Sequence, residues 1–126
     1  MTRKPLSTPD APGAIGPYSQ GMFASGNFLF LSGQIPLKPD GTLVQGDVRE
    51  QARQAMANVQ AMLESAGLGT ADIVKTTIFL SSMSHFQAVN EVYGSFFSGE
   101  PPARSTVAVA GLPKDVDVEI ECIAVY

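Results

Sequence analysis

The sequence predicts an α+β fold, a single mixed β-sheet with two α-helices packed on one face. Residues 48–66 carry apolar side chains at spacings of three and four, the mark of a helix with one buried stripe. Residues 116–126 instead alternate, Val116, Val118, Ile120, Cys122 and Ala124 against Asp117, Glu119, Glu121, Ile123 and Val125, which is the period of a strand. The segments around them complete the order ββ(β)αβαββ.

Taken in order, the first ten or so residues read as a loosely held arm. Met22-Phe23-Ala24 and Phe28-Leu29-Phe30-Leu31 are short apolar runs separated by Gly26-Asn27, and the pattern predicts an antiparallel hairpin between them. After the loop with Pro36, Pro39, Gly41 and Gly46, Asp47 is the expected N-cap of the first helix. Glu50 stands three residues later for a reciprocal capping pair, and Gly67 supplies the left-handed stop. Ile73 to Leu80 is rich in β-branched residues and suits a strand. Phe86, Val89, Tyr93, Phe96 and Phe97 mark a second helix ending near Gly99. A strand around Ser105 to Val109 and a turn at Leu112-Pro113-Lys114-Asp115 lead into the last strand.

One packing consequence follows. Successive residues from Phe28 to Leu31 point to opposite sides of a sheet, all are apolar, and two helices cover only one side. The other side requires a partner, so a homo-oligomer with open sheet faces buried together is expected.

Composition narrows the function. A chain of 126 residues, 44% hydrophobic and 16% charged, has the size of one domain spanning residues 1–126. The net charge is −4 with only eight scattered Lys and Arg residues, which argues against nucleic acid as a partner. One cysteine forms no internal disulfide, and no Cys/His spacing suggests a metal. Neither a secretory leader nor a membrane span is evident, so no membrane partner is expected and the cytoplasm is the expected location.

Familiar catalytic sets are missing. His85 stands alone at the start of the second helix, Cys122 lies mid-strand on the apolar face, and Lys75 sits in a strand without signs of a desolvating pocket. The glycines form no phosphate-binding pattern, so no cofactor is indicated. Arg104 stands out, because Pro101-Pro102 stiffen the approach to it and Val107 and Val109 follow in an apolar strand. A guanidinium held in such a setting suits either a bound carboxylate, gripped by two donors at once, or a structural pair with a glutamate such as Glu119.

The chain resembles the Rid family, also called the YjgF family, of enamine/imine deaminases, and its RidA branch best. The resemblance rests on Ile15-Gly16-Pro17-Tyr18-Ser19-Gln20, Ser32-Gly33-Gln34-Ile35-Pro36, Ala66-Gly67-Leu68, Asp72-Ile73-Val74-Lys75-Thr76-Thr77, Val89-Asn90-Glu91-Val92-Tyr93, Pro102-Ala103-Arg104-Ser105, Leu112-Pro113 and Glu119-Ile120-Glu121. These segments span almost the whole chain, in order.

The resemblance implies a YjgF/chorismate-mutase-like fold assembled as a homotrimer around a central barrel, with ligand clefts at the subunit boundaries. It implies hydrolysis of 2-aminoacrylate, 2-iminopropanoate or 2-iminobutanoate, shed by pyridoxal-phosphate enzymes, to 2-oxo acids and ammonia. Arg104 would bind the substrate carboxylate, and Glu119 would orient or share a proton with the attacking water. Tyr18, Ser32, Gly33 and Asn90 would line the cleft, with Tyr18 beside the chemistry. Thr106 stands where several relatives have cysteine, and it is expected to contribute shape and backbone rather than a nucleophile. A non-catalytic sensor of 2-oxo acids or amino acids using the same cleft is the alternative. A ribonuclease fits poorly with the acidic charge and single histidine.

Overall fold

The computed structural model describes residues 1–126 and contains six strands and two helices. They are β1 (Thr2–Leu6), β2 (Gly21–Ser25), β3 (Phe28–Gln34), α1 (Val48–Ser65), β4 (Ile73–Leu80), α2 (Phe86–Gly94), β5 (Ala103–Ala108) and β6 (Val118–Val125). The α+β class and element order follow the sequence pattern, but the strands divide into two sheets. Four form a mixed sheet in the order β3-β6-β4-β5, and β1 and β2 form a separate antiparallel ribbon.

The ribbon overturns two expectations. Residues 2–6 are not a loose arm but a strand, registered from Thr2 against Ser25 to Leu6 against Gly21. Arg3 ties the strand down, donating through Nε to Ile73 O at 2.8 Å and through Nη2 to Glu100 O at 2.7 Å. The β2–β3 hairpin does not form either. Gly26 turns the chain at φ 121°, and β3 leaves to pair with β6, Phe28 opposite Val125 and Leu31 opposite Cys122. Long-range pairing with a buried strand outweighs the nearer partner.

Helix α1 starts where the capping signal places it. The Asp47 side chain accepts from Arg49 N at 2.8 Å, but Glu50 pairs with Arg53 instead of reaching back, so only half of the reciprocal cap is built. Gly67 takes its left-handed role at φ 75°. Ala52, Ala55, Met56, Val59 and Leu63 are fully buried against the sheet, each larger side chain stabilising the fold by roughly 1.5–3 kcal/mol. Helix α2 stops at Gly94 rather than near Gly99. Phe96 and Phe97 continue as a tighter turn, bonded to Tyr93 O and Gly94 O, and still pack on the core.

Strand β6 keeps the alternation as far as Ala124, after which Val125 of the other set is buried as well. Val118, Ile120, Cys122 and Ala124 pack with the helices and are buried, as is Val116 just before the strand. On the opposite face the sheet stays open, with Phe28 47%, Phe30 70% and Val107 42% exposed. This is the uncovered apolar side that the Phe28–Leu31 run implied.

Candidate carboxylate-binding site

Arg104 sits on β5 directly opposite Thr76 of β4, whose side chain is buried under the helices. Residues opposite one another share a face, so Arg104 points toward α2. Its Nη1 donates to Asn90 Oδ1 at 2.6 Å. Three rings surround the guanidinium carbon, with centroids at 5.3 Å for Tyr18, 5.3 Å for Tyr93 and 5.8 Å for Phe86. Phe86, Asn90 and Tyr93 recur at four and three residues and therefore occupy one face of α2. Tyr93 is fixed in turn by a 2.7 Å bond to Thr76 Oγ1.

The electrostatics of this cage are unusual for an arginine. Burial pulls the Arg104 pKa below its ordinary value, with the Tyr93 and Tyr18 rings acting in the opposite direction, yet a guanidinium remains charged throughout. The chain's two ion pairs are Arg49–Glu91 and Arg53–Glu50, the His85 ring stands 3.6 Å from Asp117, and none of these involves Arg104. The structural Arg–Glu pair left open by the sequence is therefore not formed. Aromatic faces and one amide offset part of the desolvation, and the remaining donors are unmatched by any acid. Next to it lies a shallow depression of about 320 Å³ lined by Phe86, Gln87, Asn90 and Glu91.

Tyr18 and Gly16 reach this site from the loop between β1 and β2. A Cβ at Gly16 would stand 3.3 Å from Asn90 Nδ2 and 3.7 Å from Arg104 Nη2, so the backbone closes on the cage where any side chain would crowd it. Thr106, two residues beyond Arg104 and opposite Ile78, shares its face. Its Oγ1 is buried without a hydrogen-bond partner, so this position offers a free hydroxyl as well as shape.

Glu119 does not join this group within one chain. It lies on β6 opposite Phe79 of β4, three residues from Thr76, and three residues along a strand reverses the face. There its carboxylate lies against Gly33, where a Cβ would overlap it. Gly33 and Ser32 lie where the β3–β6 register shifts, a bulge between Leu31 and Gln34. The sequence candidates thus separate into an Arg104–Asn90–Tyr18–Thr106 set and a Ser32–Gly33–Glu119 set on opposite sides of the sheet. Phe86, Tyr93 and Gly16 were missed as site residues. The spacing of Phe86 and Tyr93 around Asn90 was the available signal, but it is also the spacing of a core stripe.

The remaining polar groups have structural partners. Asp117 accepts from Ser81 Oγ at 2.7 Å and Gln51 Nε2 at 3.0 Å, with His85 Nε2 at 3.6 Å. Ser81 and His85 both address the carboxylate rather than each other, which is not a relay for nucleophilic attack. Burial pushes the Cys122 thiol up to about 12, and it is inert core. Lys75 is tied to Ser105 at 3.2 Å.

Comparison with known proteins follows the same lines. A family model described as Endoribonuclease L-PSP matches residues 8–126. The chain is 51% identical to the 2-iminobutanoate/2-iminopropanoate deaminase of Escherichia coli K12, over 97% of each chain. It is similar to E. coli TdcF, solved with bound serine, at 48% identity over 98% of each chain with a TM-score of 0.75. A Yersinia pestis structure described as a protein of unknown function of the conserved Rid family, YyfB, covers both chains fully at 27% identity with a TM-score of 0.92.

Proposed function

From the premise that the chain belongs to the Endoribonuclease L-PSP (YjgF/Rid) family, we propose that it is an enamine/imine deaminase that hydrolyses 2-aminoacrylate, 2-iminopropanoate and 2-iminobutanoate. One observation carries this reading: a half-buried guanidinium, caged by three rings and held by Asn90, that no acid neutralises. A carboxylate is the ligand such a fork accepts with two parallel bonds.

In this reading Arg104 clamps the substrate carboxylate while Tyr18, Asn90 and Thr106 line the same cleft. Water attacks the imine carbon, and Glu119 takes its proton and returns one to nitrogen. Glu119 then passes the new hydroxyl's proton to the amine, and the C–N bond breaks as the oxygen's electron pair closes the carbonyl, leaving a 2-oxo acid and ammonia. Imines of 2-oxo acids are inherently hydrolysable, so positioning one water and one proton path suffices. The opposite facing of Arg104 and Glu119 supports a homotrimer in which one copy's Ser32, Gly33 and Glu119 complete the cleft around its neighbour's Arg104. The open face with Phe28 and Phe30 supports the same association. No helix is long and apolar enough to cross a membrane. The role in this reading is control of metabolite damage in the cytoplasm.

The test generates 2-aminoacrylate with a serine dehydratase and follows pyruvate release. Wild type should accelerate release and Arg104→Ala should abolish the gain. Arg104→Lys keeps the charge but not the fork, and should lose at least ~10-fold, on the order of 1.4 kcal/mol. The relative solved with bound serine favours a second reading, a sensor of amino or 2-oxo acids. Calorimetric binding of pyruvate without acceleration would select it.

A further inference from the structure

The loop from Ser7 to Ser19 carries Gly16 and Tyr18 to the guanidinium, yet it has little structure of its own. Pro9, Pro12 and Pro17 lack an N–H, and its one internal backbone bond is Tyr18 N to Gly16 O at 2.8 Å. Its later half is well anchored. Pro17 packs on Gly94 of α2, where a Cβ would lie 3.2 Å from Pro17 Cβ. Ser19 donates through N to Pro102 O at 3.1 Å and through Oγ to Pro101 O at 2.5 Å.

Apart from a local bond from Asp10 N to Thr8 Oγ1, its earlier half is hydrogen-bonded by one side chain. Gln20 Oε1 accepts from Thr8 N at 2.7 Å. Gln20 Nε2 faces the carbonyls of Thr8 at 3.1 Å, Ala11 at 3.3 Å and Pro12 at 2.7 Å. Between these pins and the Pro17 anchor stand Gly13, Ala14, Ile15 and Gly16, tied only to Tyr18, through Ile15 N to its Oη at 3.3 Å and through Gly16 O, which accepts from its N.

We propose that Gln20 is a positioning residue for the Arg104 site: by pinning residues 8–12 it keeps the Gly16–Tyr18 wall formed before ligand arrives. This deepens the reading of Arg104 as a carboxylate anchor and rests on it. Without the carboxamide, the free span grows from residues 13–16 to residues 7–16, and its ordering must be met at each binding event. Arg104 and Thr106 on β5 and Asn90 on α2 remain in place, and only the loop wall must be ordered anew. The effect therefore falls on binding and spares the chemical step.

The test uses Gln20→Met, which keeps the shape without hydrogen bonds, and Gln20→Glu, which keeps the acceptor for Thr8 N but turns a carboxylate oxygen toward three carbonyls. Both should raise KM about tenfold with kcat within about twofold, the signature of lost preorganisation. In Gln20→Met, amide exchange at Thr8, which loses its bond to Gln20 Oε1, should quicken while β4 amides keep wild-type protection. Wild-type KM in Gln20→Met, unchanged loop exchange, or a loss confined to kcat overturns the proposal. If the wild-type protein fails to accelerate pyruvate release, the deaminase reading falls separately. Calorimetric pyruvate affinity then decides, with weaker binding by Gln20→Met supporting the pin and equal binding overturning it. No pyruvate binding by wild type overturns both.

Discussion

Arg104 Nη1 and Asn90 Oδ1 stand 2.6 Å apart, so one arm of the guanidinium is oriented by a neutral amide and the rest is free of any acid. The neutrality of Asn90 is what keeps the site open. Asn90→Asp would supply an internal carboxylate at the same place and fill the fork. The expected outcome is a KM rise of at least ~10-fold, with thermal stability unchanged or improved because a buried charge gains its partner. Steady-state kinetics paired with a melting curve checks this, and undiminished affinity would show that the ligand does not use the fork.

Gly33 and Glu119 meet so closely that a Cβ at position 33 would overlap the carboxylate. Gly33→Ala should push Glu119 away from its position at the bulge. Activity should fall by about 100-fold if Glu119 handles the water, within the usual range for a displaced general base. Binding of pyruvate to Arg104 should persist, which calorimetry can show.

Thr106 Oγ1 is buried without a partner, and such a group costs stability. Thr106→Val preserves the shape and removes the hydroxyl. Denaturation should show a gain of about 1 kcal/mol, while kcat/KM falls because the ligand loses a polar neighbour. A loss of stability would mean that the hydroxyl is satisfied in the folded protein.

Alkaline pH should weaken the fold. Burial raises the Tyr93 hydroxyl from 10.0 to about 12, partly opposed by its bond to Thr76, and burial raises the Cys122 thiol from 9.0 to about 12. Between those limits the unfolded chain releases protons that the folded chain keeps, so the unfolded state gains. The stabilisation is complete below about pH 9 and lost progressively toward 12. Urea denaturation across this range should show the decline, and Cys122→Ala should flatten part of it. At pH 8 the thiol should resist alkylation until the protein unfolds.

Much of the architecture was legible because the signals are local. The Ile73–Leu80 strand appears with the same boundaries, and the alternation from Val116 to Ala124 puts every apolar member in the core. The α1 stripe was equally plain. The misreadings share a cause. Thr2–Leu6 has a mixed, proline-containing sequence with no strand period, and it becomes a strand through β2 and the two bonds from Arg3. The supposed hairpin failed because Phe28 found Val125, nearly one hundred residues away in sequence, instead of the run just before it.

The same division runs through the site. Sequence determined that Arg104 would be a stiffly held, permanently charged group, since Pro101, Pro102 and the strand after them are neighbours along the chain. It also determined that Phe86, Asn90 and Tyr93 would share one helix face. Tertiary structure alone decided that Arg104 faces α2 while Glu119 faces away. Alternation fixes which residues of one strand share a side, but two strands can be compared only through their register. That register is set by pairing across the whole sheet and is not written in either segment.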